Sequence, residues 1–336
     1  MQDRKKDHIN QAFNARVTKD VADNRFNYEP LLTGHPVNKL PAFSFAGKTM
    51  RLPLWISSMT GGTNQAGNIN RNLAKACNEF GMGMGVGSCR ILLEDERHFD
   101  DFNLRPIIGD ASPFYANLGI AQLEQLIEQK AVDKISKLIA MLQADGIIIH
   151  INPLQEAFQP EGEIIKRPPI ETLQEFVEAT NERVIVKEVG QGMGPESINQ
   201  LMSLPLQAIE FGALGGTNFT LLELLRSNER ELTAYEAFGK IGHTAEEMTE
   251  MINKVVAKTN TYKCKQVIIS GGITHILDGY YLQQKCKLKS VVGMGSTLLK
   301  AASRKYEELS YFLQQVKRSY QLASSYLEVK EERKDF

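Results

Sequence analysis

The sequence predicts an α/β fold, a (β/α)8 barrel of the TIM type with an N-terminal arm. Eight short apolar runs recur along its 336 residues, spaced roughly 25 to 55 residues apart and separated by stretches with helical spacing. The runs are apolar throughout, as expected of strands buried on both faces of a parallel sheet. Polar or glycine-rich residues follow the runs instead of preceding them. A doubly wound open sheet is the rival architecture. It usually has fewer strands and a Gly-x-Gly-x-x-Gly turn opening a helix after the first. Here the glycines of Met82-Gly83-Met84-Gly85-Val86-Gly87 lie inside a strand and open no helix.

Residues 1–50 carry few strand signals and read as an arm able to close over the active site. Within it, Lys5 to Asp20 reads as a polar helix, Asp23 to Pro41 as turns, and Phe43 to Arg51 as a small hairpin. The barrel proper spans 51–336. Leu54-Trp55-Ile56 is the first strand, ending in Ser57-Ser58-Met59-Thr60-Gly61-Gly62. Asn68 to Phe80 has helical spacing and stops at Gly81. Met82 to Val86 is the second strand, closing with Gly87-Ser88-Cys89-Arg90, and Phe114 to Gly119 is the third. A single helix, Leu123 to Gln143, leads to the fourth strand, Ile147-Ile148-Ile149. Helix Ile170 to Asn181 precedes strand Val184 to Gly190, and helix Pro195 to Leu204 precedes strand Ala208 to Gly212. An excursion from Leu221 to Thr261 contains helix Thr244 to Lys258. Val267 to Gly272 and Ser290 to Gly295 are the last strands, and the tail from Leu298 is helical.

Composition narrows the class. Hydrophobic residues make up 42% and charged residues 24%, an ordinary globular balance. The formal net charge of -1 argues against nucleic acid as a partner. Cys77, Cys89, Cys264 and Cys286 form no Cys-x-x-Cys pair, so neither a disulfide framework nor a zinc site is expected. The first residues lack the apolar core of a signal peptide and no run approaches a membrane span. A cytoplasmic protein with no membrane partner is the expectation.

The chemistry is expected at the strand ends, which in such barrels share one mouth. His150-Ile151-Asn152-Pro153-Leu154-Gln155-Glu156 follows the fourth strand with four functional side chains in seven residues. Thr60, Ser88, Asn117, Lys187 and Thr217 end other strands. The turns Ser270-Gly271-Gly272 and Gly293-Met294-Gly295-Ser296 suit backbone N–H binding of a phosphate at the standard position for this fold. Lys187, inside an apolar strand, needs a partner. It reads as a salt bridge to a residue such as Glu210, as a cation beside an electron-rich cofactor atom, or as a Schiff-base nucleophile. Glu156 reads either as a hard ligand for Mg2+ or as a surface carboxylate. Arg4-Lys5-Lys6 with His8 reads either as a solvated terminus or as an anion clamp.

Together these blocks resemble the type 2 isopentenyl-diphosphate isomerases. The likeness rests on His150 to Glu156 followed by Pro160-Glu161-Gly162. It also rests on Arg4-Lys5 with His8, Met59-Thr60-Gly61-Gly62, Gly87-Ser88-Cys89-Arg90, Ala116-Asn117-Leu118-Gly119, Val186 to Gly190, Gly215 to Phe219 and Ser270-Gly271-Gly272. It runs from about residue 4 to 300. The resemblance implies isomerisation of isopentenyl to dimethylallyl diphosphate on a barrel using reduced FMN, Mg2+ and NAD(P)H, with no net redox change. It assigns FMN to Met59, Thr60, Gly61, Ser88, Asn117, Lys187, Thr217, Gly271, Gly272, Gly295 and Ser296. The substrate diphosphate falls to Arg4, Lys5, His8, Ser88, Cys89, Arg90 and Gln155, with His150 and Asn152 near it. Gln155, His150 and Asn152 become the catalytic candidates and Glu156 the Mg2+ ligand. A homo-oligomer, tetramer or octamer, is also implied.

Four positions depart from the family pattern. Thr274 stands where an Arg is usual, and Gly295-Ser296-Thr297 replaces a turn that usually carries an Arg. Cys89 stands for a Gln, and Gly212 for a Ser. Most lie around the expected flavin phosphate. Two other functions share the barrel: an FMN-dependent oxidoreductase, and a protein that has lost flavin and binds only phosphate ligands. The first needs a proton-abstracting His with a carboxylate-binding Arg, or a loop Cys or Ser, and no convincing set is present.

Overall fold

The computed structural model describes residues 2–37, 40–58 and 64–330. Eight parallel strands close into a barrel in chain order. They are β1 (Leu54–Ile56), β2 (Gly83–Gly85), β3 (Phe114–Gly119), β4 (Gly146–Ile151), β5 (Val184–Glu188), β6 (Ala208–Glu210), β7 (Gln266–Ser270) and β8 (Lys289–Met294). β8 pairs with β1, as Val292 with Leu54, which seals the barrel.

Strand periodicity sorts the core into two layers. Ile147, Ile149, Val184, Val186, Ile209, Val267 and Ile269 face the surrounding helices in one large cluster. Trp55, Tyr115, Ile148, Ile185, Ala208, Ile268 and Val291 form a second cluster inside the barrel. Two residues further along each strand the inward position turns polar or loses its side chain: Ser57, Asn117, His150, Lys187, Glu210, Ser270 and Gly293. The mouth chemistry is therefore the next layer of the same inward stripe.

A hairpin made of Phe43–Phe45 and Lys48–Met50 stoppers the other end. Phe45, Ala46 and Met50 join the inner cluster, and the Tyr115 hydroxyl donates to the Ala46 carbonyl at 3.2 Å. The hairpin thus packs as part of the barrel core.

Several local expectations change. Helix α1 (Gln2–Gln11) stops well short of Asp20, and residues 4–20 are exposed throughout, so no packed face extends it. After it comes α2 (Asn64–Phe80). The helix expected from Leu123 to Gln143 is two, Ile120–Glu128 and Asp133–Leu142. Lys130 between them adopts φ 54°, and Ala131 N–H bonds back to Leu126 O, a left-handed stop that ends the first helix. Pro153 begins helix α3 (Pro153–Phe158), where its missing N–H costs nothing. The excursion contributes α4 (Phe219–Arg226), and α5 (Ile276–Lys285) and α6 (Ser296–Ala302) follow the last two strands. Phe26–Tyr28, in the segment expected to be turns, pairs antiparallel with Leu327–Val329 and ties the arm to the end of the last helix, Tyr306–Tyr326. No described helix is long and apolar enough to cross a membrane.

Candidate active site

A cavity of about 370 Å³ opens at the carboxyl ends of the strands. Its floor is formed by Ser57, Lys187 and Glu210, and its far wall by the glycine turns after β6, β7 and β8. Gly271, Gly272, Gly295, Ser296 and Thr217 all line it. Gly271 adopts φ 94°, and a Cβ there would lie 2.0 Å from the Ala213 carbonyl oxygen. The β6 and β7 turns can approach each other only because this position has no side chain.

Lys187 is buried, sits between His150 and Glu210 in the strand register, and donates to the Glu188 carbonyl at 2.9 Å. It forms no salt bridge with Glu210. Both Glu210 oxygens are buried without a hydrogen-bond partner, and so is Ser57 Oγ. Burial raises the Glu210 pKa, while the Lys187 charge and the nearby Ser57 and Ser270 hydroxyls, which do not reach good hydrogen-bond geometry, oppose that rise. Unpartnered acceptors and donors facing a cavity are what a polar ring would satisfy.

Glu188 does structural work beside them. Its carboxylate accepts from the N–H groups of Gly190, Gln191 and Gly192 at 2.7, 2.6 and 2.9 Å, fixing the turn after β5.

His150 and Asn117 form a second unit. Asn117 Nδ2 donates to Val86 O at 3.0 Å, which turns its Oδ1 toward His150 Nδ1, 2.8 Å away. His150 is therefore the Nδ1–H tautomer, with Nε2 free to accept. Burial, helped by Lys187 and Arg90, pushes its pKa down to about 3. A Cβ at Gly119 would lie 2.9 Å from that Nε2, so the glycine keeps the ring edge open. Asn117 is buried with both ends of its amide engaged, and one Nδ2 hydrogen is left over.

The third unit is built on α3. Asn152, buried at its N-terminus, donates from Nδ2 to Gln155 Oε1 at 3.1 Å and to Glu156 Oε1 at 2.9 Å. Glu163 N–H binds the other Glu156 oxygen at 2.7 Å. Gln155 Nε2 in turn donates to Glu223 on α4 at 3.4 Å. Glu223 is buried and was not foreseen, because its partner lies 68 residues away and only the fold joins them. Glu163 was also missed. It hydrogen-bonds Gln122 and lies 3.7 Å from Arg90.

The remaining expected residues separate. Ser88 and Arg90 are exposed at the mouth, and Ser88 Oγ accepts from Arg90 N–H at 3.4 Å. Cys89 between them points inward: it is fully buried, its thiol donates to Gly87 O at 3.5 Å, and burial raises its pKa to about 12. A side chain so placed offers nothing to a ligand. Arg4, Lys5 and His8 are exposed on α1. Met59, Thr60 and Gly61 lie outside the described residues. No group of three or more His, Cys, Asp or Glu that could hold a metal ion occurs among the described residues.

No family model matches the chain. Individual relatives do. An isopentenyl-diphosphate delta-isomerase of Rickettsia typhi is 31% identical over 324 residues, covering 94% of this chain and 91% of that protein. One from Chlorobium chlorochromatii is 30% identical over 305 residues, covering 82% and 80%. The chain belongs to the type 2 isopentenyl-diphosphate delta-isomerase family. It is an isomerase. Solved structures agree on the fold. A flavocytochrome b2 variant with pyruvate bound superposes with TM-score 0.60 at 13% identity, covering 89% of this chain and 71% of that one. A mandelate oxidase with (S)-mandelic acid gives 0.56 at 11%, covering 92% and 88%. At such identity these neighbours speak to the barrel alone.

Proposed function

We propose that this isomerase converts isopentenyl diphosphate to dimethylallyl diphosphate with reduced FMN and Mg2+, NAD(P)H keeping the flavin reduced and no net redox change occurring. The observation that carries the reading is the Asn152 bridge. One buried amide holds a neutral amide, Gln155, and a hard carboxylate, Glu156, side by side at the mouth. Moving a proton along an allyl diphosphate needs both: a group at the carbons and a metal at the phosphates.

FMN fits the cavity on two counts. Glu210 and Ser57 leave buried polar atoms without partners at its floor, and the Gly271 turn leaves the backbone close approach that a phosphate needs. Lys187 and Thr217 would hold the ring, with Ser88 and the spare Asn117 N–H at its edge. Gly271, Gly272, Gly295 and Ser296 would hold the phosphate. Reduced FMN, when bound, would supply an electron-rich ring able to stabilise positive charge on carbon. Mg2+ fits Glu156 because such an ion needs one or two carboxylates once substrate phosphates complete its shell.

Arg90 and Ser88 would bind the diphosphate, with Arg4, Lys5 and His8 joining when the arm closes. His150, neutral at physiological pH, would donate nothing from Nε2 and accept a hydrogen bond there. Gln155 would face the allylic carbons and relay the proton. Binding energy at the diphosphate would orient a small, apolar reacting end that offers few contacts of its own. A homo-oligomer in the cytoplasm completes the reading.

The test is to incubate purified protein anaerobically with isopentenyl diphosphate, FMN, NADPH and Mg2+. Dimethylallyl diphosphate is expected. Its absence from folded, flavin-loaded protein would overturn the reading.

A further inference from the structure

We propose that Arg226 is a positioning residue that sets the orientation of the Gln155 amide by acting through Glu223. The inference rests on the isomerase reading above. Glu223 and Arg226 lie three residues apart on α4, on adjoining turns of one face. Arg226 Nη1 binds Glu223 Oε2 at 2.5 Å, while Glu223 Oε1 takes the Gln155 hydrogen bond. Arg226 Nη2 reaches across to Glu161, in the turn after α3, at 3.1 Å. One guanidinium therefore joins the helix that carries Glu223 to the segment that carries Gln155.

An amide has two ends of similar shape and opposite hydrogen-bonding sense, so a relay that uses it needs the ends fixed. Asn152 fixes one. Both its Nδ2 hydrogens are spent, on Gln155 Oε1 and on Glu156 Oε1, and the Glu156 carboxylate can only accept. The Glu223 carboxylate, held by Arg226 and able only to accept, fixes the other end. A protonated Glu223 becomes a donor itself, and the Gln155 amide loses its reason to present nitrogen on that side. Glu223 is buried and Arg226 is half exposed, so the guanidinium holds a buried carboxylate from its solvent side.

Other titratable groups stand on the elements packed against α4. Glu156 and Glu161 come from α3 and its turn. Glu229, Arg230, Glu231 and Tyr235 lie on the helix Glu229–Tyr235, and Glu236 pairs with Lys240 at 3.0 Å on the helical turn that follows. Among the described residues Arg226 is the cation that pairs with Glu223.

The experiment uses the full-length, flavin-loaded protein and compares wild type, Arg226→Met and Arg226→Lys. It reads the pH–rate profile, kcat and KM, and the Gln155 side-chain amide signals in 15N NMR, assigned by their loss in Gln155→Ala. In Arg226→Met the acid limb is expected to move to higher pH, because a carboxylate loses its close cation. kcat falls about tenfold or more while KM for isopentenyl diphosphate stays within about twofold, since no diphosphate contact has changed. The Gln155 signals shift or double below the new limb. Arg226→Lys, which keeps the charge, restores the limb. A Met variant with wild-type kcat, limb and amide signals overturns the proposal, and so does a Lys variant that shifts as far as Met. Should Arg226→Met fail to fold, Glu223→Gln carries the test: two sets of Gln155 signals support the proposal and a single wild-type set overturns it. If wild-type protein makes no dimethylallyl diphosphate, the isomerase reading has failed, and the amide signals still decide what Arg226 does.

Discussion

His150 donates its Nδ1 hydrogen to Asn117 Oδ1 across 2.8 Å, from one barrel strand to the next. The amide's other end is spent on Val86 O, so the ring is locked in one tautomer with Nε2 turned outward. With its pKa pushed down to about 3, His150 is uncharged wherever the enzyme works.

That shift has a sign for stability. Unfolded, the imidazole titrates near its ordinary value of 6.5. Between that pH and about 3 the unfolded chain binds a proton that the folded chain refuses. The contribution of His150 to stability is complete above the unfolded pKa and is lost as pH falls through this window. His150→Gln is expected to flatten the decline of Tm across it. An equally steep decline in the variant, followed by circular dichroism, would show that His150 does not carry the effect.

Gln155→Ala removes the link between Asn152 and Glu223. Turnover is expected to fall by about 10² or more, within the range for lost proton-transfer groups. Flavin affinity, followed by fluorescence quenching, should stay the same. Wild-type-like turnover would contradict the role given to Gln155.

Glu156→Ala deletes the carboxylate assigned to Mg2+. The Mg2+ concentration giving half-maximal rate is expected to rise at least about tenfold, because the proposed site would lose a hard oxygen ligand. An unchanged Mg2+ titration would move the metal elsewhere.

Gly271→Ala forces a side chain onto a φ of 94° and against Ala213 O. A destabilisation of about 1–3 kcal/mol is expected from the strained backbone alone. Weaker FMN binding should accompany it. A variant with unchanged Tm and unchanged flavin affinity would show that the turns do not depend on this glycine.

Much of this was legible in the chain because strand burial repeats every second residue. Eight apolar runs announce the barrel, and the polar residues that end them announce the mouth. Even the inward aim of Lys187 follows from Ile185, its neighbour two positions back in the inner cluster. What stayed hidden depends on partners distant in sequence. Glu223 looks like one more charge on an amphipathic helix until α4 is laid against α3. Cys89 sits between two exposed residues, and only the fold turns it inward. The break at Lys130 was lost because the flanking segments share one helical period, and a left-handed lysine carries no signal as strong as glycine would. The pairing of Phe26–Tyr28 with Leu327–Val329 joins the two ends of the chain, which no local pattern encodes.

In the proposed reaction the flavin takes part without being consumed. Anaerobic turnover with FMN, NADPH and Mg2+ omitted one at a time, counting dimethylallyl diphosphate formed against NADPH oxidised, tests it most directly. Product is expected only with all three present, and many product molecules for each NADPH. One NADPH per turnover, or product formed without flavin, would contradict it.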